Sequence, residues 1–171
     1  MEIKNNSPMI LPDLLDYNLD VVFCGTAAGD KSAERKAYYA GRGNLFYHAL
    51  AIAGFTPKMF QPHEYPQLLT CKIGLTDLAK FTHGLDKQLT DDDFDVNSFE
   101  QKILQFSPSF VCFNGKEAAK VYMGLKNTKQ VVLGLQSQTI GITRLYVAPS
   151  TSFSARAYWD EQYWRELKSL I

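Results

Sequence analysis

Short apolar runs alternate along this chain with segments of helical period, and that alternation limits the folds open to it. DVVFC (20–24), SFVCFNG (109–115) and RLYVAPS (144–150) read as buried strands, the last halted by Pro149. QLLTCKIGLTDL (67–78) reads as a short helix followed by an irregular or strand-like piece. NLFYHALAIAGF (44–55) has helical period, with Phe46, Leu50 and Ala53 on one face and Gly54 near its end. NSFEQKILQFSP (97–108) is a helix in which Ser98 and Gln101 fit a capping box and Pro108 marks the exit. KEAAKVYMGL (116–125) is another helix. AYWDEQYWRELKSLI (157–171) is the last, with Trp159, Tyr163, Leu167 and Leu170 along one stripe. This order predicts an α/β fold: one domain over residues 1–171, a three-layer αβα sandwich around a central, mainly parallel four-stranded sheet. Ligands of such sheets bind beyond the carboxyl ends of the strands. Two loops with unusual content leave such ends, 25–43 and 149–156.

Composition narrows the partners little. Lys plus Arg and Asp plus Glu number 18 each, so net charge neither selects a polyanion nor excludes one. The 9 Tyr, 11 Phe and 2 Trp suffice either to fill a core or to line a surface that stacks on flat ligands. Cys24, Cys71 and Cys112 are far apart and form no CxxC pair, so a cysteine metal site is not expected. Cys24 and Cys112 lie in apolar runs as buried thiols, and reduced thiols suit a cytoplasmic protein. The opening MEIKNNSPMILPDLLDYN has no long apolar core and no cleavage signal. No apolar run approaches the length of a membrane span, and no membrane partner is expected.

CGTAAGDKS (24–32) follows the first strand and has the flavour of a phosphate loop. A Walker loop needs four residues between its glycines and then Gly-Lys-Ser/Thr. Gly25 and Gly29 bracket three, and Asp30 stands before Lys31, where a carboxylate repels phosphate. DDDFDVNSFEQK lacks the sixth-position Gly of a calcium loop, and Lys102 stands where the bidentate Glu belongs. His48, His63 and His83 show no metal-ligand spacing, and no GxSxG elbow exists.

VVFCGTAAGDKSAERKAYYAGRGNLFYHALAIAGFTP (21–57) resembles the first motif region of the uracil-DNA glycosylase superfamily, closest to its mismatch-specific uracil/thymine branch. That pattern is an apolar strand, a G-x-N-P-G turn, an aromatic before a Gly/Pro-rich bend, and N-x-F-W opening a helix. Here the turn is Gly25-Thr26-Ala27-Ala28-Gly29, the aromatic Tyr39, the bend Gly41-Arg42-Gly43 and the helix opening Asn44-Leu45-Phe46-Tyr47. IGLTDL (73–78) is similar to the segment after the family's second helix, and VAPSTSFSAR (147–156) takes the place of its second motif, a loop that wedges into DNA. The chain departs from the branch at one decisive position. The Asn that positions the attacking water is Ala27, and the following Pro is Ala28. Some branches of the superfamily also lack that Asn.

The resemblance implies a DNA-repair glycosylase that flips and hydrolyses uracil or a related deaminated base, as a monomer, without metal or organic cofactor. Tyr39 is then the stacking face for the base, with Thr26, Ala27, Ala28 and Gly29 around it; Tyr38 and Tyr39 have a packing role as the alternative. Asn44 is, with Asp30, a catalytic candidate that binds the base edge, caps the helix, or does both. Asp30, beside the turn that lacks its Asn, orients water as a general base and steadies a cationic sugar; a turn bond or a pair with Lys31 is its other reading. Lys31, Ser32 and Arg42, with Arg35 and Lys36 adding charge, suit a phosphate backbone. Ser150, Thr151 and Ser152 offer further phosphate contacts, and Phe153 or Arg156 fills the gap left by a flipped base; a plain strand-to-helix turn is the alternative. Two other functions compete: a non-catalytic lesion- or abasic-site binder of the same fold, and a nucleotide-binding α/β protein unrelated to DNA.

Overall fold

The computed structural model describes residues 8–171. The sheet has five strands: β1 (Val21–Ala28), β2 (Ile73–His83), β3 (Phe110–Asn114), β4 (Gly134–Ile140) and β5 (Thr143–Ala148). Their order is β2-β1-β3-β5-β4; every pair is parallel except β4–β5. The helices are α1 (Asp30–Arg35), α2 (Phe46–Ala53), α3 (Val96–Phe106), α4 (Lys116–Met123) and α5 (Glu161–Leu170). On one face of the sheet Phe23, Leu75 and Tyr146 meet Phe46 and Leu50 of α2 and Trp164 and Leu167 of α5. On the other, Val22, Val111 and Val147 meet Phe99 and Ile103 of α3 and Ala118, Ala119 and Tyr122 of α4. Central parallel strands are covered on both faces, which is why their sequences are almost continuously apolar.

The expected four strands become five. The added β4, GLQSQTI, pairs antiparallel with β5 through the tight turn Gly141–Ile142. It lies at the sheet's edge, where one face stays in water and polar residues are tolerated, so it carries no apolar run. At the opposite edge β2 is longer than expected, eleven residues. Residues 8–20 cover it: Leu14 and Leu75 exchange backbone hydrogen bonds at 2.9 and 2.8 Å, and Ile10 N–H donates to Lys80 O at 2.8 Å. Asp13 seals this cover. Its carboxylate meets Lys80 Nζ at 2.9 Å and Lys102 Nζ at 2.6 Å and accepts from Thr76 Oγ1 at 2.7 Å. Burial works to raise its pKa, but the two ammonium groups outweigh that and hold it below the usual carboxylate range.

Two helix details differ from expectation. α3 is capped by Asp95, which accepts from Ser98 N–H at 2.9 Å, so Ser98 lies inside the first turn rather than capping it. In α5 the core residues are Trp164 and Leu167, whereas Leu170 is exposed and Trp159 precedes the helix. Trp164 stacks on Phe23 with ring centroids 5.3 Å apart and donates Nε1–H to Pro149 O at 3.2 Å. That bond ties α5 to the start of the loop after β5.

Candidate functional site

The residues read as a turn after the first strand are largely strand. β1 continues through Ala28 because β2 runs alongside it, pairing Gly25 with Asp77, Ala27 with Ala79 and Ala28 with His83. Side chains alternate along a strand, so Gly25 and Ala27 share one face, with Asp77 and Ala79 beside them. Gly29 caps α1, whose first residue is Asp30. Thr26, on the other face, donates its hydroxyl to Asp86 at 2.5 Å; burial raises the Asp86 pKa and Thr26 partly offsets it.

The aromatic pair after α1 divides its labour. Tyr38 is core: its hydroxyl donates to Pro12 O at 3.0 Å and accepts from Lys80 Nζ at 3.0 Å. Tyr39 adopts φ 54, a left-handed conformation that costs a non-glycine residue about 1–3 kcal/mol. One face of its ring packs on Phe46, centroids 4.0 Å apart and planes 31° from parallel, while the residue stays half-buried. Its hydroxyl is buried and makes no hydrogen bond of good geometry among the described residues. Burial, then the nearby Asp77 carboxylate, keep that phenol neutral, and the Asn114 amide opposes them. Asn44 accepts from Phe46 N–H at 3.0 Å through Oδ1, a helix-entry bond, and its amide NH₂ has no partner among the described residues.

Asp30 does not pair with Lys31. Its carboxylate is 2.8 Å from His83 Nδ1 at the surface, and Lys31 pairs with Glu34 at 2.9 Å. Arg42 is exposed in the bend. Ser32 is buried instead, and its hydroxyl accepts from Ala40 N–H at 3.0 Å; the short helix α1 turns it inward, away from any phosphate.

The loop after β5 meets the loop after β1 although β3 lies between their strands. Asn114, the last residue of β3, bridges the gap. Its Nδ2–H donates to Thr151 Oγ1 at 2.9 Å and its Oδ1 accepts from Thr151 N–H at 3.0 Å. Thr151 O then accepts from Leu45 N–H at 2.9 Å. Thr151 is therefore a buried tie rather than a phosphate contact. Ser150 and Ser152 remain partly exposed, with Ser150 Oγ 3.1 Å from Ser152 Oγ. Phe153 lies against Gly43, where a Cβ would come within 2.7 Å of its ring. Gly43 has φ +78, so both its conformation and this contact require glycine. Phe153 is nonetheless 64% exposed, with the Arg156 guanidinium 5.1 Å from its ring centroid and Arg156 Nη2–H donating to Gly43 O at 3.3 Å.

Two functional candidates escape a reading by motif. Asn114 looks like the tail of a strand; the signal was an amide placed just before Gly115. Asp77 sits inside IGLTDL, and the signal was a lone acid among apolar residues of a buried strand. Asp77 is 5% exposed and none of the described residues hydrogen-bonds its carboxylate. A Cβ on Gly25 would come within 2.8 Å of Asp77 Oδ1 and 3.5 Å of the Tyr39 hydroxyl. Burial pushes the Asp77 pKa up to about 6, against the pull of Lys80.

The Uracil DNA glycosylase superfamily matches the chain over residues 12–168. Among solved structures, the solution NMR structure of a "putative Uracil DNA glycosylase" from Methanosarcina acetivorans is similar, with a TM-score of 0.58 and 21% identity. The likeness covers 92% of this chain and 96% of that one, and at that identity it shows the shared fold.

Proposed function

We propose a function that proceeds from one premise: the chain belongs to the uracil DNA glycosylase superfamily. The reading is hydrolysis of the N-glycosidic bond of uracil, or of a related deaminated base, in DNA. One observation carries it. The two candidate loops meet at the carboxyl edge of the sheet, where Gly43, next to Asn44, touches an exposed Phe153–Arg156 pair and Tyr39 packs on Phe46 at the opening of the same helix. An enzyme acting on a base must take it out of the stack, at a cost of a few kcal/mol. The open side of the Tyr39 ring receives the base, and the Asn44 amide donates to a base carbonyl while its oxygen holds α2. Ala27 and Gly29 line the approach, while Ala28 is buried in the core and Thr26 is held back by Asp86. Phe153 fills the space the base leaves, and Lys31, Arg42, Ser150 and Ser152 face the phosphates. Asp30, exposed and held by His83, stands at the rim of this site.

The test is incubation with single- and double-stranded oligonucleotides carrying uracil, hypoxanthine, xanthine or mismatched thymine, followed by alkaline cleavage at abasic sites. Strand breaks at a modified base support the reading; none on any substrate refutes it. A second reading, a lesion- or abasic-site binder of the same fold, is favoured by Ala27, whose methyl cannot hold a water. Tight binding to abasic DNA without cleavage of any base would establish the binder.

A further inference from the structure

We infer that Asp77 is the catalytic base of this site, holding and deprotonating the water that the turn, with Ala27, cannot hold. The inference rests on the glycosylase reading and adds a residue to it. Three observations carry it. The Asp77 carboxylate lies over Gly25, in the space that a side chain there would fill. None of the described residues hydrogen-bonds that carboxylate, and the residue keeps 5% of its surface exposed. Finally, Ala27 follows on the same face, two residues nearer the mouth. Residues i and i+2 of a strand are about 6.5 Å apart, close to the span of one water with a hydrogen bond on either side. A water on Asp77 therefore reaches the level at which Ala27 faces the sugar.

The step balances without a co-reactant. The bond from C1′ to the base nitrogen breaks, its electron pair leaving with the base. The water oxygen bonds to C1′, and its proton passes to Asp77 and from there to the departing base or solvent. Free base and an abasic sugar result, and the carboxylate is restored. The negative charge of Asp77 also stabilises the cationic sugar between these events. The charged groups nearest Asp77 are Lys80 and Asp13, already paired with each other at 2.9 Å, and the neighbouring Tyr38, Tyr39 and Cys24 are held neutral by burial. Burial raises the Asp77 carboxyl to about 6; Asp86, bonded to Thr26 on the other face, is raised by burial as well.

The experiment is single-turnover excision of uracil by the full chain, as wild type, Asp77→Asn, Asp30→Asn and the double variant Asp77→Asn/Ala27→Asn, with binding to a tetrahydrofuran abasic duplex measured alongside. We expect the wild-type rate to rise about tenfold per pH unit below about 6 and level off above it. Asp77→Asn should lose about 100-fold or more, lose that pH dependence and keep abasic-site binding. The double variant should recover part of the loss, since the added amide supplies the turn with its own water ligand; recovery also excludes misfolding as the cause. An active wild type with Asp77→Asn within threefold of it overturns the assignment. So does a larger loss from Asp30→Asn than from Asp77→Asn. A wild type that binds abasic DNA but excises no base overturns the glycosylase reading itself.

Discussion

Replacing Asp77 with Asn should make the protein more stable at neutral pH. In the unfolded chain this carboxyl ionises near 3.8; in the native state burial raises that to about 6. Folding therefore disfavours the charged form. Between those two values the native state binds more protons than the unfolded one, so stability falls as pH rises. The stabilising contribution is fully present below about 3.8 and is lost as pH passes about 6. The difference amounts to roughly 3 kcal/mol at pH 8, at 1.36 kcal/mol per pH unit. Asn has nearly the same shape and no charge, so it escapes this penalty. Its NH₂ group needs a partner, and an unmade hydrogen bond costs about 1–2 kcal/mol. The net gain is then about 1–2 kcal/mol, or about 2–8 °C in Tm for a chain of this size. Thermal melts of both proteins from pH 4.5 to pH 8.5 check it. The expected result is a Tm advantage for Asp77→Asn at high pH that shrinks steadily toward low pH. A wild type as stable as the variant at pH 8, or a gap that ignores pH, would refute a buried, unpaired carboxylate.

Other outcomes follow from the same site. Tyr39→Ala should reduce uracil excision with about 1–3 kcal/mol of lost stacking, measured as single-turnover rate over binding; unchanged excision would leave Tyr39 a packing residue. Phe153→Ala should lower excision from duplex DNA and spare single strands, because only the duplex has a stack to hold open; equal losses would point to a pocket role. Asn114→Ala removes both bonds to Thr151 and should cost about 1–3 kcal/mol of stability while loosening the second loop, seen as faster amide exchange at Leu45. Asp13→Ala leaves Lys80 buried without its carboxylate and should cost about 3–5 kcal/mol in urea melts; a loss under 1 kcal/mol would deny the clamp on β2.

Much of the fold was legible because burial writes itself into sequence. The continuously apolar β1 and β3 could only be central strands, and the Phe46, Leu50 and Ala53 stripe could only face a core. β4 was illegible for the opposite reason: an edge strand needs few apolar residues, and QSQT says nothing of pairing. The capping of α3 slipped by three residues because Asp95 and Ser98 are both good caps, and only the backbone decides between them. At the site, motif order located both loops but not the inward or outward turn of single hydroxyls. Ser32 and Thr151 look like surface contacts in the sequence, yet the Ser32 hydroxyl accepts the buried Ala40 N–H and the Thr151 hydroxyl accepts from the Asn114 amide. Asp77 was hidden by its distance from Gly25 along the chain, and only the parallel register of β1 and β2 brings them together.

The measurement that bears most directly on the glycosylase reading is release of free base. Duplex and single-stranded DNA with one uracil would be incubated with the protein and EDTA, and free uracil counted chromatographically against abasic sites in the same sample. The proposed reaction predicts one free uracil for each abasic site, both rising together and increasing with pH through about 6. Intact uracil-DNA after prolonged incubation with excess protein, with abasic DNA still bound tightly, would contradict it and leave a binding protein built on this fold.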